Sequence, residues 1–139
     1  MALLQYQRDS LVRKVEDLDE DTATRRLVGS DTTLLWLVRH LARAEATWVL
    51  SRFAGEPADV PDETRPGDTV AAAIADYRAM SALVDGVVAQ HLLDDTATND
   101  AGEPPVNLRW ILMHLLEETA RHAGHADILR ELLDGSTGR

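Results

Sequence analysis

The last helical run of this chain carries ionisable side chains where a core-facing helix should be apolar. Residues Asn107 to Asp134 read NLRWILMHLLEETARHAGHADILRELLD. At roughly 100° per residue, His114, Glu118, His122 and His125 fall within an arc of about 80°, and Ile111, Leu129 and Leu132 continue the same stripe. Burying a carboxylate and imidazoles is costly unless each is paired, hydrogen-bonded or coordinated. Any fold that accepts this helix must therefore compensate them, and a metal ion does so from a single centre.

Residues four apart on a helix lie one above the other and can converge on one atom, and Glu118 and His122 are such a pair. A functional metal site needs at least three protein ligands and an open position, so the third ligand must come from another helix. His40 is the only histidine of an earlier run, LLWLVRHLARAEATWVL, where Thr33, Trp36, Leu37, Ala44, Thr47 and Trp48 share its face. Alone, a histidine on an apolar stripe is more often a satisfied core residue than a ligand. Facing Glu118 and His122 across a bundle it becomes the expected third ligand, because bundle cores are where facing helices assemble such sites.

Only one of two adjacent glutamates can point straight at the site; the four-residue spacing favours Glu118 and leaves Glu117 in solvent. His114 and His125 could each hydrogen-bond a ligand, replace one or line the pocket, and the first and last of these roles are favoured over metal binding. Trp36, Trp48 and Trp110 read as core residues, and Trp48, two turns beyond His40, could also wall the pocket. His91, near the end of the third helix, reads as structural, its imidazolium meeting the helix dipole. Gly124 costs about 1 kcal/mol relative to Ala inside a helix; it is either simply tolerated or marks the close passage of another backbone or a ligand.

The rest of the chain reads as support for this helix. Leu3, Leu4, Leu11, Val15 and Leu18 give residues 2–19 the spacing of an amphipathic helix. Gly29, Ser30 and Asp31 supply turn and N-cap residues before a second helix over Leu34 to Phe53. The segment GEPADVPDETRPGD, punctuated by Pro57, Pro61 and Pro66, is an extended connection. Asp68 is placed to cap a third helix running to about Leu93, with Val70, Ile74, Tyr77, Val84 and Val88 on its apolar stripe. DDTATNDAGEPPVN breaks the chain again before Asn107 caps the fourth helix, which stops at Gly135. No strand pattern, internal repeat or heptad seam stands out. The expectation is an all-α four-helix bundle, one domain over residues 1–139, with long connections between helices two and three and helices three and four. Such connections permit a topology other than up-down-up-down.

Composition narrows the function. A net charge of −10, from 14 basic and 24 acidic residues with no basic cluster, argues against nucleic acid. With no cysteine there is neither disulfide framework nor protein thiolate, so a metal must bind through nitrogen and oxygen. No run approaches the ~20 apolar residues of a membrane span, and MALLQYQRDSLVRK lacks the build of a signal peptide. A cytoplasmic protein without membrane partners is expected.

The segments VRHLARAEATW and HLLEETARHAGHADILRE, with the YQRDSLVRKVEDL opening and the LRW start of the last helix, resemble the DinB-like superfamily, specifically its DUF664 branch. The resemblance spans nearly the whole chain and implies a four-helix bundle with a metal held by three side chains. Relatives usually carry histidine, three residues, then histidine-arginine-glycine-glutamine on the last helix; the matching positions here are Glu118, His122, Ala123, Gly124 and His125. The chain thus has glutamate for the first histidine, which adds one negative charge, and His125 for the glutamine. Mycothiol-dependent maleylpyruvate isomerases are similar in combining a second-helix histidine with a glutamate and a histidine on the last, which supports His40, Glu118 and His122. The resemblance does not identify the metal; a zinc-like divalent ion is expected, with nickel or iron as alternatives because His/carboxylate sites do not discriminate strongly by ligand type. Characterised relatives also include transferases that use bacillithiol or mycothiol. The implied activity is therefore transfer of a low-molecular-weight thiol to a small electrophile, or isomerisation of one; the alternative is a non-catalytic metal- or ligand-binding bundle. Relatives often pair through helices, and apolar strips on the first and third helices could support a homodimer.

Overall fold

The computed structural model describes residues 1–58, 67–98 and 105–137. Helix α1 spans Ala2–Arg13, α2 Glu20–Ala23, α3 Leu34–Glu45, α4 Val70–Val88 and α5 Leu108–Asp134, and α3 continues without a break as a π-helix over Ala46–Phe53. The four long helices form the expected all-α bundle. Two apolar clusters give its topology. One joins Leu11 and Val15 of the first segment to Leu34–Leu41, Val70–Tyr77, Ala126 and Leu129. The other joins Leu4 to Val49, Phe53, Val84, Val88, Leu108, Ile111 and Leu115. Helices α1 and α5 therefore run in one direction and α3 and α4 in the other, an up-down-down-up order. Phe53 and Val70 lie at opposite ends of the bundle, the extended connection expected between them falling largely outside the described residues, whereas Val88 and Leu108 lie at the same end. There the chain pins itself down, with the Ala97 amide donating to the Val106 carbonyl at 2.9 Å and the Thr98 amide to the Phe53 carbonyl at 3.0 Å.

Several helix ends differ from the expected ones, each for a local reason. The first helix stops at Arg13 rather than near residue 19, because the following turns tighten, the Lys14 amide reaching back three residues to the Leu11 carbonyl. Within the acidic stretch expected to be a connection, Asp19 caps the short α2 by accepting from the Thr22 amide at 2.8 Å. Thr33, rather than Asp31, caps α3, accepting from the Trp36 amide at 3.1 Å. Thr69, rather than Asp68, caps α4. Asp68 is occupied by Arg39, which is 3 % exposed and also pairs with Asp76. Helix α4 ends at Val88, five residues before the expected Leu93. Asn107 and Gly135 bound α5 as expected, Gly135 at φ +76°.

Between the two apolar clusters lies a polar layer. Arg8, 2 % exposed, donates through Nε and Nη2 to both oxygens of the fully buried Glu45 at 2.8 and 2.6 Å, and through Nη1 to Asp85 at 2.9 Å. Burial pushes the Glu45 carboxyl up, and the bidentate pair with Arg8 opposes that rise. The residue ties α1, α3 and α4 together at mid-height. At the far end of α1 and α5, Arg130 donates to the Lys14 carbonyl at 2.8 Å and to Asp17 at 2.7 Å.

Removing one partner of a buried pair strands the other charge, at a cost of about 3–5 kcal/mol. Arg8→Met alone should therefore lower the urea unfolding free energy by an amount in that range. The double variant Arg8→Met/Glu45→Leu should recover most of the loss; equal losses in the single and double variants would show that the pair does not set this cost.

Candidate metal centre

The site lies where α3 meets α5. One residue on α3 and two on α5 bring ligand atoms together: His40, Glu118 and His122 each offer one, all within 4.8 Å of one another. Glu118 Oε1 is the hub, 3.2 Å from His40 Nε2 and 3.0 Å from His122 Nε2. These side chains are 23, 17 and 12 % exposed in the order His40, Glu118, His122, so the group is sheltered yet open to a small molecule. Helical spacing places Glu118 under His122; the packing of α3 on α5 brings His40 across.

Aromatic stacking holds the rings. Trp36, one turn before His40 on α3, stacks on it with centroids 4.6 Å apart and planes 10° from parallel. His40 and His122 meet edge to face at 4.7 Å. Arg121 fastens the remaining carboxylate oxygen, Nη1 lying 3.2 Å from Glu118 Oε2, while its Nη2 reaches Glu117 at 2.6 Å. Neither Trp36 as a clamp nor Arg121 as a tether stood out in the sequence, although both use helical spacings, four residues to His40 and three to Glu118.

Charge follows from this packing. Burial pushes the Glu118 carboxyl up, but hydrogen bonds to His40 and His122 and the nearby Arg121 outweigh it, leaving the carboxyl below its ordinary value. For His122, burial lowers the pKa; Glu118 opposes the shift, and the net direction is down, towards the neutral imidazole that a metal requires. The donor set suits a divalent ion. Ligand atoms held 2.0–2.2 Å from a tetrahedral centre lie roughly 3.3–3.6 Å apart, and the two separations to Glu118 Oε1 fall just short of that range.

The other expected residues divide between two neighbourhoods. His125 touches the group, its Nδ1 3.2 Å from His122 Nδ1. His114 instead packs with Trp48 at 4.5 Å and Trp110 at 5.2 Å, one turn before Glu118 on α5, with Arg52 lying 4.5 Å over the Trp48 ring. Trp110 is 47 % exposed and thus no core residue, the buried face of this turn being taken by Leu108, Ile111 and Leu115. Leu132 is 57 % exposed, the stripe having drifted to Leu129 and Arg130 by that turn. Glu117 is in solvent as expected. His91 lies beyond the end of α4, where it meets Asp95 at 3.3 Å and the edge of Phe53. A Cβ on Gly124 would meet nothing within 4 Å, so no backbone passes close to it.

The mycothiol-S-transferase family profile matches residues 1–135. The chain belongs to that DinB-like family. Among solved structures, a conserved protein from Enterococcus faecalis is similar at a TM-score of 0.73 over 97 % of this chain and 95 % of its own, with 18 % sequence identity. That likeness concerns the fold alone. No curated protein matches the chain. No helix among the described residues is long and apolar enough to cross a membrane.

The hub role of Glu118 can be read in the metal-free protein. Glu118→Gln removes the charge that opposes the effect of burial, so the His122 pKa should fall further below 6.5. Imidazole titration by NMR measures it; a rise would show that the carboxylate is not the group sustaining protonation of His122.

Proposed function

We propose that the protein is a metal-dependent transferase that joins a low-molecular-weight thiol of the mycothiol type to a small electrophile, with His40, Glu118 and His122 as the metal ligands. One observation carries the reading: in a chain of the mycothiol-S-transferase family, two imidazole nitrogens from two helices converge on a single carboxylate oxygen. With no cysteine in the chain, the sulfur must arrive with a cosubstrate. A bound divalent ion, zinc being the best match to two nitrogens and a carboxylate, would supply a position at which a thiol loses its proton near neutral pH.

The protein's own groups do the rest. Glu118 brings negative charge to the ion, and Arg121, on its outer oxygen, fixes which oxygen faces inward. Trp36 holds the His40 ring in place. His125 contacts the far nitrogen of His122, the position from which a neighbour orients a ligand imidazole. In the overall reaction a sulfur–carbon bond forms at the electrophilic carbon, its bond to the leaving group breaks, the leaving group departs with the electron pair, and the thiol proton passes to solvent.

Protein purified without a histidine tag should take up one equivalent of zinc or cobalt. Alanine at His40, Glu118 or His122 should abolish tight binding, whereas His125→Gln should cost only about 10–100-fold in affinity and Glu117→Ala less. Adding the thiol to the cobalt protein should produce a strong near-ultraviolet charge-transfer band. Tight metal binding that survives Glu118→Ala but not His125→Gln would overturn the ligand assignment; no band with any of several thiols would leave a metal-binding bundle without transferase chemistry.

A further inference from the structure

On the far side of His125 from the metal group, a cavity of about 270 Å³ opens between α5 and the segment before α3, lined by Val28, Ser30, Thr32, His125, Ile128 and Leu129. We infer that this cavity seats the apolar body of the electrophile, so that the second substrate is a small, uncharged molecule with a ring or short alkyl group. This assignment rests on the transferase reading. The cavity's chemistry sets the class of occupant. Among the described residues its lining includes no Asp, Glu, Lys or Arg, in a chain with a net charge of −10. Three other clefts of similar size are lined by ionised groups: Arg8 and Asp85 in one, Glu16 and Arg78 in the second, Lys14, Asp17 and Arg130 in the third. The hydroxyls on the rim among the described residues, Ser30 and Thr32, lie 3.0 Å apart, Ser30 donating to Thr32.

Size and position agree with this. A dry cavity of roughly 150 Å³ holds benzene, so this one has room for a substituted ring. His125 is at once its wall and the neighbour of His122, with Nδ1 atoms 3.2 Å apart, so an occupant lies one side chain from the metal group. The outer wall is anchored at both ends, since Leu27 packs on the core and Thr33 caps α3. Along α5 the metal group thus has two flanks: the half-buried ring stack of Trp110, His114 and Trp48 before it, and this largely apolar cavity after it.

Benzyl alcohol, an unreactive analogue of a benzyl electrophile, tests the assignment when titrated into the zinc-loaded protein and followed by amide shifts. The largest changes should fall at residues 28–32 and 125–129. Val28→Trp and Ile128→Trp alter exposed residues and fill the cavity, so each should weaken the probe at least tenfold while zinc content and the cobalt–thiol band stay unchanged. In the transfer assay with benzyl chloride, the same variants should raise KM more than they lower kcat. Shifts confined to the Trp48–Trp110 stack, or unchanged probe affinity in both variants, would overturn the assignment. So would light scattering that shows a dimer in the native protein and a monomer in the variants, since the cavity would then be an interface between copies. If benzyl alcohol binds as expected but no thiol produces a band, the cavity stands as an apolar binding site and the transferase reading falls.

Discussion

The pair between Arg8 and Glu45 sets the register of the bundle. Both side chains are almost wholly removed from water, and Arg8 also meets Asp85 on α4. A buried pair of this kind adds little net stability compared with well-packed apolar residues, but a mismatched one is heavily penalised. Sliding α1 by a turn against α3 would part the guanidinium from its carboxylate and strand two charges in the core. The polar layer therefore fixes which turn of α1 faces which turn of α3 and α4, with one apolar cluster packed on either side of it.

The consequence reaches the metal group through α3. Glu45 and His40 lie on the same helix, one facing the polar layer and the other facing α5, so the helix that is registered against α1 also presents a ligand to Glu118 and His122. Immediately after Glu45 the helix loosens into π geometry, with the Ala54 amide reaching back five residues to the Val49 carbonyl at 3.0 Å. Single π turns inside helices frequently accompany functional sites. Here the π segment carries Trp48 and Arg52 towards the ring stack beside the site.

Within the site, geometry and charge support one another. A carboxylate that accepts from two imidazoles and is tethered by an arginine does not need to reorganise to meet a cation, and burial keeps at least His122 inclined to give up its proton. Along α5 the ring stack lies one turn before Glu118, and the cavity lined by Val28, Ile128 and Leu129 lies beyond His122, so the centre stands between two chemically different surfaces.

Much of this was legible in the sequence because it depends on helical spacing. The four long helices, the pairing of Glu118 with His122, the solvated Glu117 and the boundaries of α5 all follow from periodicity and capping within about one turn of chain. The choice of His40 needed the further idea that a second helix faces the last one, and the structure brings it to 3.2 Å from Glu118. Contacts between helices were not legible. Nothing in the spacing of Arg8 or Glu45 distinguishes a buried pair from two solvated charges, because their partnership spans 37 residues and exists only once α1 packs on α3. For the same reason Asp68 looked like a cap until Arg39 claimed it, His114 shared an arc with Glu118 yet went to Trp48 and Trp110, and Trp110 looked like core until its face proved to be outward. Local hydrogen bonding sets which residues can share a face, whereas burial and pairing across helices are decided by which faces meet.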